Sequence, residues 1–528
     1  MTTVSWEHKS NRKRLSVILF TAALLLVSMM SVLRGPTALA QDEVRIVIAD
    51  GRGNWGPPSP YLHDRRGPGY VLMTFVFDTL LWKDETGTLI PALARSWQAD
   101  DTGITFRLDP AATWHDGEPV TAADVVFTVD YARAHPSRFV DLSAVGSVRA
   151  VNPTEVRVDF ARPFAPFLVN VAGTLPILPQ HIFGGIDNPV RFAEPAAMTG
   201  SGPYRLKAYD PIQGGYLFEA NADYYQGAPA VQEIAFVKMG TAAALAGLTS
   251  GAVDLMTKVP ATERANLQAA GLTVLSYQMN HPVRLQFNHR HPVLADVQVR
   301  QAIAKLVDRP RLIETVYLGE ADLWDAAGLD PLDATAPDPY AHDPAEAARM
   351  LHAAGWQRDS EGRWQTAAGD TLDLTMVALR HYDKLARMVA AQLEAAGIGV
   401  SVTLFDRGGL DAVFGRDAFD LAIVSFSTLG DPDVLRRTIL GGRPDSDRYT
   451  ANAALTRLLK DQASELDPVV RADMVARAGD LYAADLPSFF MLSPRRVIAS
   501  NDRVQPFVTP GGIGPGIPLI LNKQMFLP

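Results

Sequence analysis

The 528-residue chain has no cysteine. Disulfide staples, zinc–thiolate sites, iron–sulfur clusters and cysteine nucleophiles are therefore excluded. Positive charge is in deficit as well: 49 Lys and Arg face 58 Asp and Glu, for a formal charge of −9. That balance lacks the basic field of a nucleic-acid surface, so no nucleic-acid partner is expected. The linear signatures of common catalysts are missing too. The chain holds no Gly-x-Ser-x-Gly elbow, no His-Glu-x-x-His helix, no Gly-x-x-x-x-Gly-Lys phosphate loop and no Gly-x-Gly-x-x-Gly after a strand. Absent motifs do not exclude catalysis, since paired carboxylates leave no linear signature, but no catalytic residue is assigned. His281, His289 and His291 lie close together, yet Pro282 and Pro292 break the segment. They are read as packing or surface histidines, so neither a metal nor a cofactor is expected. There is no internal repeat of 20 to 50 residues, and no biased linker sets one part of the chain apart, so its domains are expected to pack together.

What is present is ordinary globular composition, 47% hydrophobic and 20% charged, in a chain long enough for two to four domains. The N-terminus is distinctive. Lys9, Arg12, Lys13 and Arg14 precede a largely apolar run from Leu15 to Val32, and Ala38-Leu39-Ala40 follows. A basic segment, an apolar segment and an Ala-x-Ala site together read as a secretory signal peptide cleaved after Ala40. The alternative is an uncleaved anchor, since 18 apolar residues nearly span a bilayer. Arg12-Lys13-Arg14 is not a consecutive arginine pair, and no cysteine is available for lipidation. The expected product is a soluble periplasmic protein that is not a lipoprotein.

Beyond the leader, Glu43 to Ala49 is Val- and Ile-rich and reads as a buried strand. Asp50 to Pro68 is a Gly/Pro-rich loop carrying Trp55 and Tyr61, aromatics that are core residues by default but, from their place in such a loop, also candidates for lining a ligand. Ile104 to Leu108 and Glu155 to Phe160 alternate as half-buried strands. Thr121 with Asp124 three residues later reads as a helix N-terminus, and Val125, Val126, Val129 and Tyr131 form its buried face. The second half alternates helix and strand. Asp296 to Val307 is amphipathic, and Asp308 caps a second helix with Pro310 in its first turn. Leu372 to Leu379 is a strand, a helix striped by Leu385, Met388, Val389, Leu393 and Ala396 ends at Gly397, and Ile398 to Phe405 and Phe419 to Phe426 are strands. This order predicts a mixed or parallel sheet covered by helices, an α/β fold.

Several segments, taken in order, resemble one family. They are Asp78-Thr79-Leu80-Leu81, Pro91 to Ala94 with Ser96-Trp97, and Trp114-His115-Asp116-Gly117-Glu118-Pro119 running into Thr121 to Phe127. Gly200 to Tyr204, Asn221 to Tyr225, Ser250 to Asp254, and Val299 to Ala302 with Asp308-Arg309 complete the set. The set resembles the family 5 solute-binding proteins of ABC importers, the dipeptide, oligopeptide and nickel group. The resemblance implies a two-lobed periplasmic-binding-protein fold of the class II type, with an extra inserted α+β domain and a hinge between the lobes. On this scheme 1–40 is the signal peptide, 41–70 opens lobe I, 71–196 is the inserted domain, 197–283 continues lobe I, 284–489 is lobe II and 490–528 returns to lobe I. Most of the shared motifs, His115-Asp116-Gly117 included, are turns and caps.

The resemblance also implies ligand positions. In dipeptide-binding relatives an arginine after the strand matching Leu372 to Leu379 grips the peptide carboxylate, and Arg380 stands there, followed by His381-Tyr382. Those relatives place an aspartate for the peptide ammonium just before an Asp-Pro-Asp sequence. Here Asp431-Pro432-Asp433 is preceded at that position by Thr428. A threonine does not neutralise a buried ammonium, so the departure favours ligands with an anionic end and a neutral or blocked other end, unless Asp431 substitutes. The expected ligand-binding set is thus Arg380, Tyr382, Thr428, Asp431, Trp55 and Tyr61. The implied activity is capture of a peptide or peptide-like ligand by a monomeric receptor, which hands it to permease subunits driven by a cytoplasmic ATPase. A nickel chelate, an opine or an oligosaccharide is the alternative ligand. A periplasmic sensor or a secreted hydrolase is the alternative class.

Overall fold

The computed structural model describes residues 44–63, 67–136, 140–326, 332, 337–428, 430–441, 446–518 and 520–528. The leader and its cleavage after Ala40 lie outside the described residues. A large mixed sheet organises the chain. On one side of it, Arg45–Asp50 lies parallel to both Glu233–Lys238 and Leu255–Val259, and the antiparallel strands Gly215–Ala220 and Tyr204–Asp210 extend that side. On the other side, Asp373–Leu379 lies parallel between Gly399–Phe405 and Leu421–Ser425, and Val283–Phe287 adds on antiparallel. Each side has its own core: Ile46, Phe75, Phe218 and Phe236 in one, Leu285, Met376, Leu385 and Ile423 in the other.

One strand belongs to both sides. The 13 residues of Ser488–Ser500 pair at their start with Val283–Phe287 and at their end with Thr273–Gln278 and Leu255–Val259. Thr273–Gln278 and Val283–Phe287 are consecutive in sequence, separated by Met279-Asn280-His281-Pro282. Two extended segments therefore carry the chain between the two sides, the arrangement of a hinge. Asn280, between them, adopts the left-handed region at φ 44°.

Between Arg45–Asp50 and Tyr204–Asp210 in sequence stands a separate antiparallel sheet, ordered Ala94–Asp100, Gly103–Leu108, Glu155–Phe160, Val145–Asn152. The helix Ala122–Ala134 covers it, burying Val125 and Val129 against Phe106, Trp114 and Val156. This helix starts at Thr121, whose backbone N–H donates to the Asp124 carboxylate at 2.8 Å. In the second half, Asp308 caps Arg309–Tyr317 by accepting the Arg311 N–H at 3.0 Å.

The glycines of Gly200-Ser201-Gly202 are required by close packing. A Cβ on Gly200 would fall 1.9 Å from the Val76 carbonyl oxygen, and one on Gly202 2.6 Å from that of Phe75. His115 is held against the same turn: its backbone N–H donates to Gly200 O at 2.8 Å, and its Nε2 lies 2.9 Å from Gly202 O. Two of the sequence motifs thus meet as one structural joint.

Burial holds two histidines neutral. His115 is pushed down to about 4 by desolvation, with the Arg205 charge adding to it. His289, against Pro487 O at 2.8 Å, is pushed down to about 4 by desolvation and the Arg300 charge. In the unfolded chain both accept a proton near the ordinary histidine value, so their contribution is complete above that value and is lost as pH falls toward about 4. Each loss amounts to roughly 2–3 kcal/mol. Denaturant melts should show a fall in stability between pH 7 and pH 4.5 that shrinks in a His115→Asn, His289→Asn double variant. An unchanged fall in the double variant would contradict this assignment.

Candidate functional site

Arg380 opens a single 3-10 turn, Arg380–Tyr382, directly after the strand Asp373–Leu379. Its side chain is exposed and meets no hydrogen-bond or ion-pair partner among the described residues. Tyr382 is buried, and its hydroxyl lies 2.6 Å from Ser425 Oγ at the end of the neighbouring parallel strand. Desolvation raises its phenol above the ordinary value, so it stays a neutral donor. The chain after Ser425 continues into the loop that carries Thr428 and Asp431, so both stretches follow the ends of two adjacent parallel strands.

Thr428 is turned toward the crossover. Its backbone N–H and its Oγ1 both donate to Asn280 O, at 3.0 and 3.3 Å. Asp431 is more firmly committed. Arg471 grips it with both terminal guanidinium nitrogens, one at 2.7 Å, and the Asp433 N–H adds a 2.8 Å bond. Arg471 also donates to Gln462, and Gln462 Nε2 reaches Asp433 at 3.1 Å. Arg436 forks onto Asp433 from the other side. The Asp-Pro-Asp sequence is thus a clasped, buried network that also starts the helix Asp433–Ile439.

The two aromatics of the Gly/Pro loop lie elsewhere. The Trp55 indole N–H donates to Asp50, the Arg52 guanidinium stacks 4.1 Å from its ring, and its backbone N–H meets the Tyr216 hydroxyl at 2.7 Å. Tyr61 packs edge-on against Tyr131 at 5.7 Å and lines a small cavity with His63, Tyr70 and Met73. Burial raises its phenol.

Sequence reasoning missed the segment that meets this loop. Residues 509–518 read Thr-Pro-Gly-Gly-Ile-Gly-Pro-Gly-Ile-Pro, a run whose composition marks a tight loop. Ser427 Oγ donates to Gly516 O at 2.7 Å. A Cβ on Gly430, which sits at φ 97°, would fall 2.7 Å from Pro515 O. On the same segment, Gly511 O and Gly512 O accept from Lys83 Nζ at 3.3 and 3.0 Å. Lys83 is 6% exposed, and desolvation lowers its ammonium to about 8 against the opposing charge of Asp431.

The four-stranded unit also touches the side that carries Asp431. The Ala165 N–H donates to Ala463 O at 3.0 Å. Asp141 faces Arg436 and Arg437; desolvation opposes it, but bonds from Ser143 and those two charges hold its carboxyl low.

Residues 88–447 match the family described as bacterial extracellular solute-binding proteins, family 5 middle. A putative ABC transporter peptide-binding protein of Brucella ovis is 29% identical over 301 residues, covering 54% of this chain and 56% of that protein. The chain thus spans about half the length of the first curated relatives it matches. The oligopeptide-binding protein AppA of Bacillus subtilis is 26% identical over 494 residues, 86% of this chain and 87% of its own. Its structure in complex with a nonapeptide superposes with a TM-score of 0.70 at 21% identity, over 91% of this chain and 98% of that one. NikA of Brucella suis in complex with Fe(III)-EDTA superposes with a TM-score of 0.77 at 22% identity, over 90% and 98%. These likenesses show the two-lobed fold.

Proposed function

Because the chain belongs to the bacterial extracellular solute-binding proteins of family 5, we propose that it is the receptor of an ABC importer. It captures a peptide or peptide-like ligand between its lobes and delivers it to permease subunits in the membrane. It acts outside the cytoplasm as a monomer, after removal of the leader at Ala40, and it neither transforms its ligand nor needs a cofactor. Residues 41–70, 197–283 and 490–528 make lobe I, 284–489 lobe II and 71–196 the inserted domain.

The observation that carries this reading is the pairing of a double crossover with loops that meet across it. Ser488–Ser500 and the run from Thr273 to Phe287 join the lobes, while Ser427 and Gly430 seat on Gly516 and Pro515. Each contact between lobes favours the closed form, and a ligand that touches both lobes adds its own differential affinity for that form. Two extended strands resist stretching but accept the small dihedral changes of a hinge. Closure therefore requires no unfolding and no covalent step.

Arg380 is the proposed carboxylate clamp on lobe II, with Tyr382 and Thr428 beside it, and Trp55 and Tyr61, on the lobe I loop, are proposed as aromatic walls facing it. An exposed guanidinium with no partner among the described residues can fork onto a ligand carboxylate. Arg380→Ala should weaken an anionic ligand by roughly 2–5 kcal/mol if closure buries that pair, measured by calorimetric titration. Unchanged affinity would remove Arg380 from the site. The chelate-type ligand remains the second reading, favoured by the fold match to NikA with Fe(III)-EDTA. Among the described residues no group of three or more His, Asp or Glu could hold a metal directly, so such a ligand would be gripped through its organic carboxylates.

A further inference from the structure

Lys83 ends the short strand Leu81–Lys83, and its side chain is buried where loops of the two lobes meet. Its neighbour Trp82 points to the opposite face of the strand, toward Lys523 and Asn522, as strand alternation requires. The Lys83 ammonium carries three hydrogens. Two are accepted by Gly511 O and Gly512 O, and no carboxylate forms an ion pair with it among the described residues.

The opposite charge that acts on Lys83 is Asp431. That carboxylate already balances Arg471, which holds it with two nitrogens. With Asp431 held by Arg471 and Asp433 held by Arg436, the Lys83 charge is the one left over among these five groups. Thr428 contributes no charge, and its hydroxyl is taken by Asn280 O. A ligand ammonium brought here would meet like charge in a desolvated setting and find Asp431 already held by Arg471. A carboxylate would meet the remaining Lys83 hydrogen and the backbone of a glycine-rich turn.

Resting on the peptide-receptor reading, we infer that Lys83 selects a ligand bearing a carboxylate, in place of a free ammonium, at the end of the cleft held between residues 427–431 and 511–516. Together with Arg380, this gives a site for a ligand acidic at both ends, such as an N-acyl peptide whose acyl group carries a carboxylate.

The test uses the full-length protein and one random-sequence peptide pool prepared in three forms: free amino, N-acetyl and N-succinyl. Native mass spectrometry reads the bound fraction of each. The succinyl form should be enriched about tenfold or more over the free-amino form. Lys83→Met should reduce that ratio to below about twofold, and Lys83→Arg should restore it.

A second readout needs no variant. Lys83 is held near 8, so the preference for succinyl over acetyl should fade as pH rises from 7 to 9. Neither acyl group titrates in that window. The charge acting on Lys83 is that of Asp431, held by Arg471, and Tyr70 borders Gly514 of the same glycine-rich segment, its phenol raised far above the ordinary value by burial. Lys523, behind the strand, is paired with Asp78. Equal or greater enrichment of the free-amino form would overturn the inference and leave the peptide receptor standing. A succinyl preference that survives both Lys83→Met and pH 9 would overturn the role of Lys83. No bound peptide in any form would overturn the inference together with the reading it rests on.

Discussion

Lys523→Met should lower the unfolding free energy by about 3–5 kcal/mol, the cost of leaving a buried charge without its partner. Lys523 and Asp78 form an ion pair in which neither side chain is more than 1% exposed. They stand 445 residues apart, so the pair fastens the C-terminal turn Lys523–Phe526 to the end of the helix Gly67–Val76. The remaining capacity of Asp78 is met by the hydroxyls of Tyr225, at 3.0 Å, and Tyr224. Desolvation and the Asp78 charge raise both phenols well above the ordinary value, so both stay donors. The Lys523 ammonium also lies 4.4 Å from the centre of the Trp82 ring, a cation–π contact that methionine would lose. Denaturant melts at neutral pH read the loss directly. A Lys523→Met, Asp78→Asn double variant should recover part of it, because the uncompensated carboxylate is then gone. A single variant as stable as the native chain would show that the pair contributes nothing net.

Gly430→Ala should leave the fold nearly intact and weaken ligand binding about ten- to a hundredfold. Two constraints act at this position. Its φ of 97° is one that glycine adopts freely and alanine does not, which affects open and closed forms alike. On the proposed lobe boundaries, the close approach to Pro515 O, 2.7 Å from the position of a Cβ, is a contact between the lobes. Overpacking against a backbone carbonyl costs about 1–3 kcal/mol, and here it falls on the closed form. A receptor whose closed form is less populated binds with proportionally lower apparent affinity. Titration of ligand, compared with thermal melts of the free protein, separates the two effects. Loss of stability without loss of affinity would mean that the contact is not part of closure.

Local signals carried most of the architecture. The strands Arg45–Asp50, Asp373–Leu379, Gly399–Phe405 and Leu421–Ser425 form where apolar runs end in turn residues. The helices at Thr121 and Asp308 begin where a side chain satisfies an orphan backbone donor. Such information lies within a few residues of itself. The double crossover was not legible, because Ser488–Ser500 reads as one apolar strand whichever partners it takes. The candidate site was half legible for the same reason. Arg380 and Thr428 stand out by position relative to strands and to Asp-Pro-Asp. The hold of Arg471 on Asp431 spans 40 residues and that of Lys83 on Gly511 spans 428, and neither pair leaves a motif. Asp431 looked available in the sequence because a carboxylate there carries no mark of the guanidinium that folding brings to it.

Delivery of a peptide-like ligand to an importer, the proposed role of this chain, is tested most directly by uptake. Bacteria whose own copy has been deleted should lose uptake of a labelled peptide ligand. The native chain should restore it, and Gly430→Ala should restore it only in part. Undiminished uptake in the deletion strain, with the native chain still binding the same ligand, would contradict a transport role and leave a receptor that senses instead.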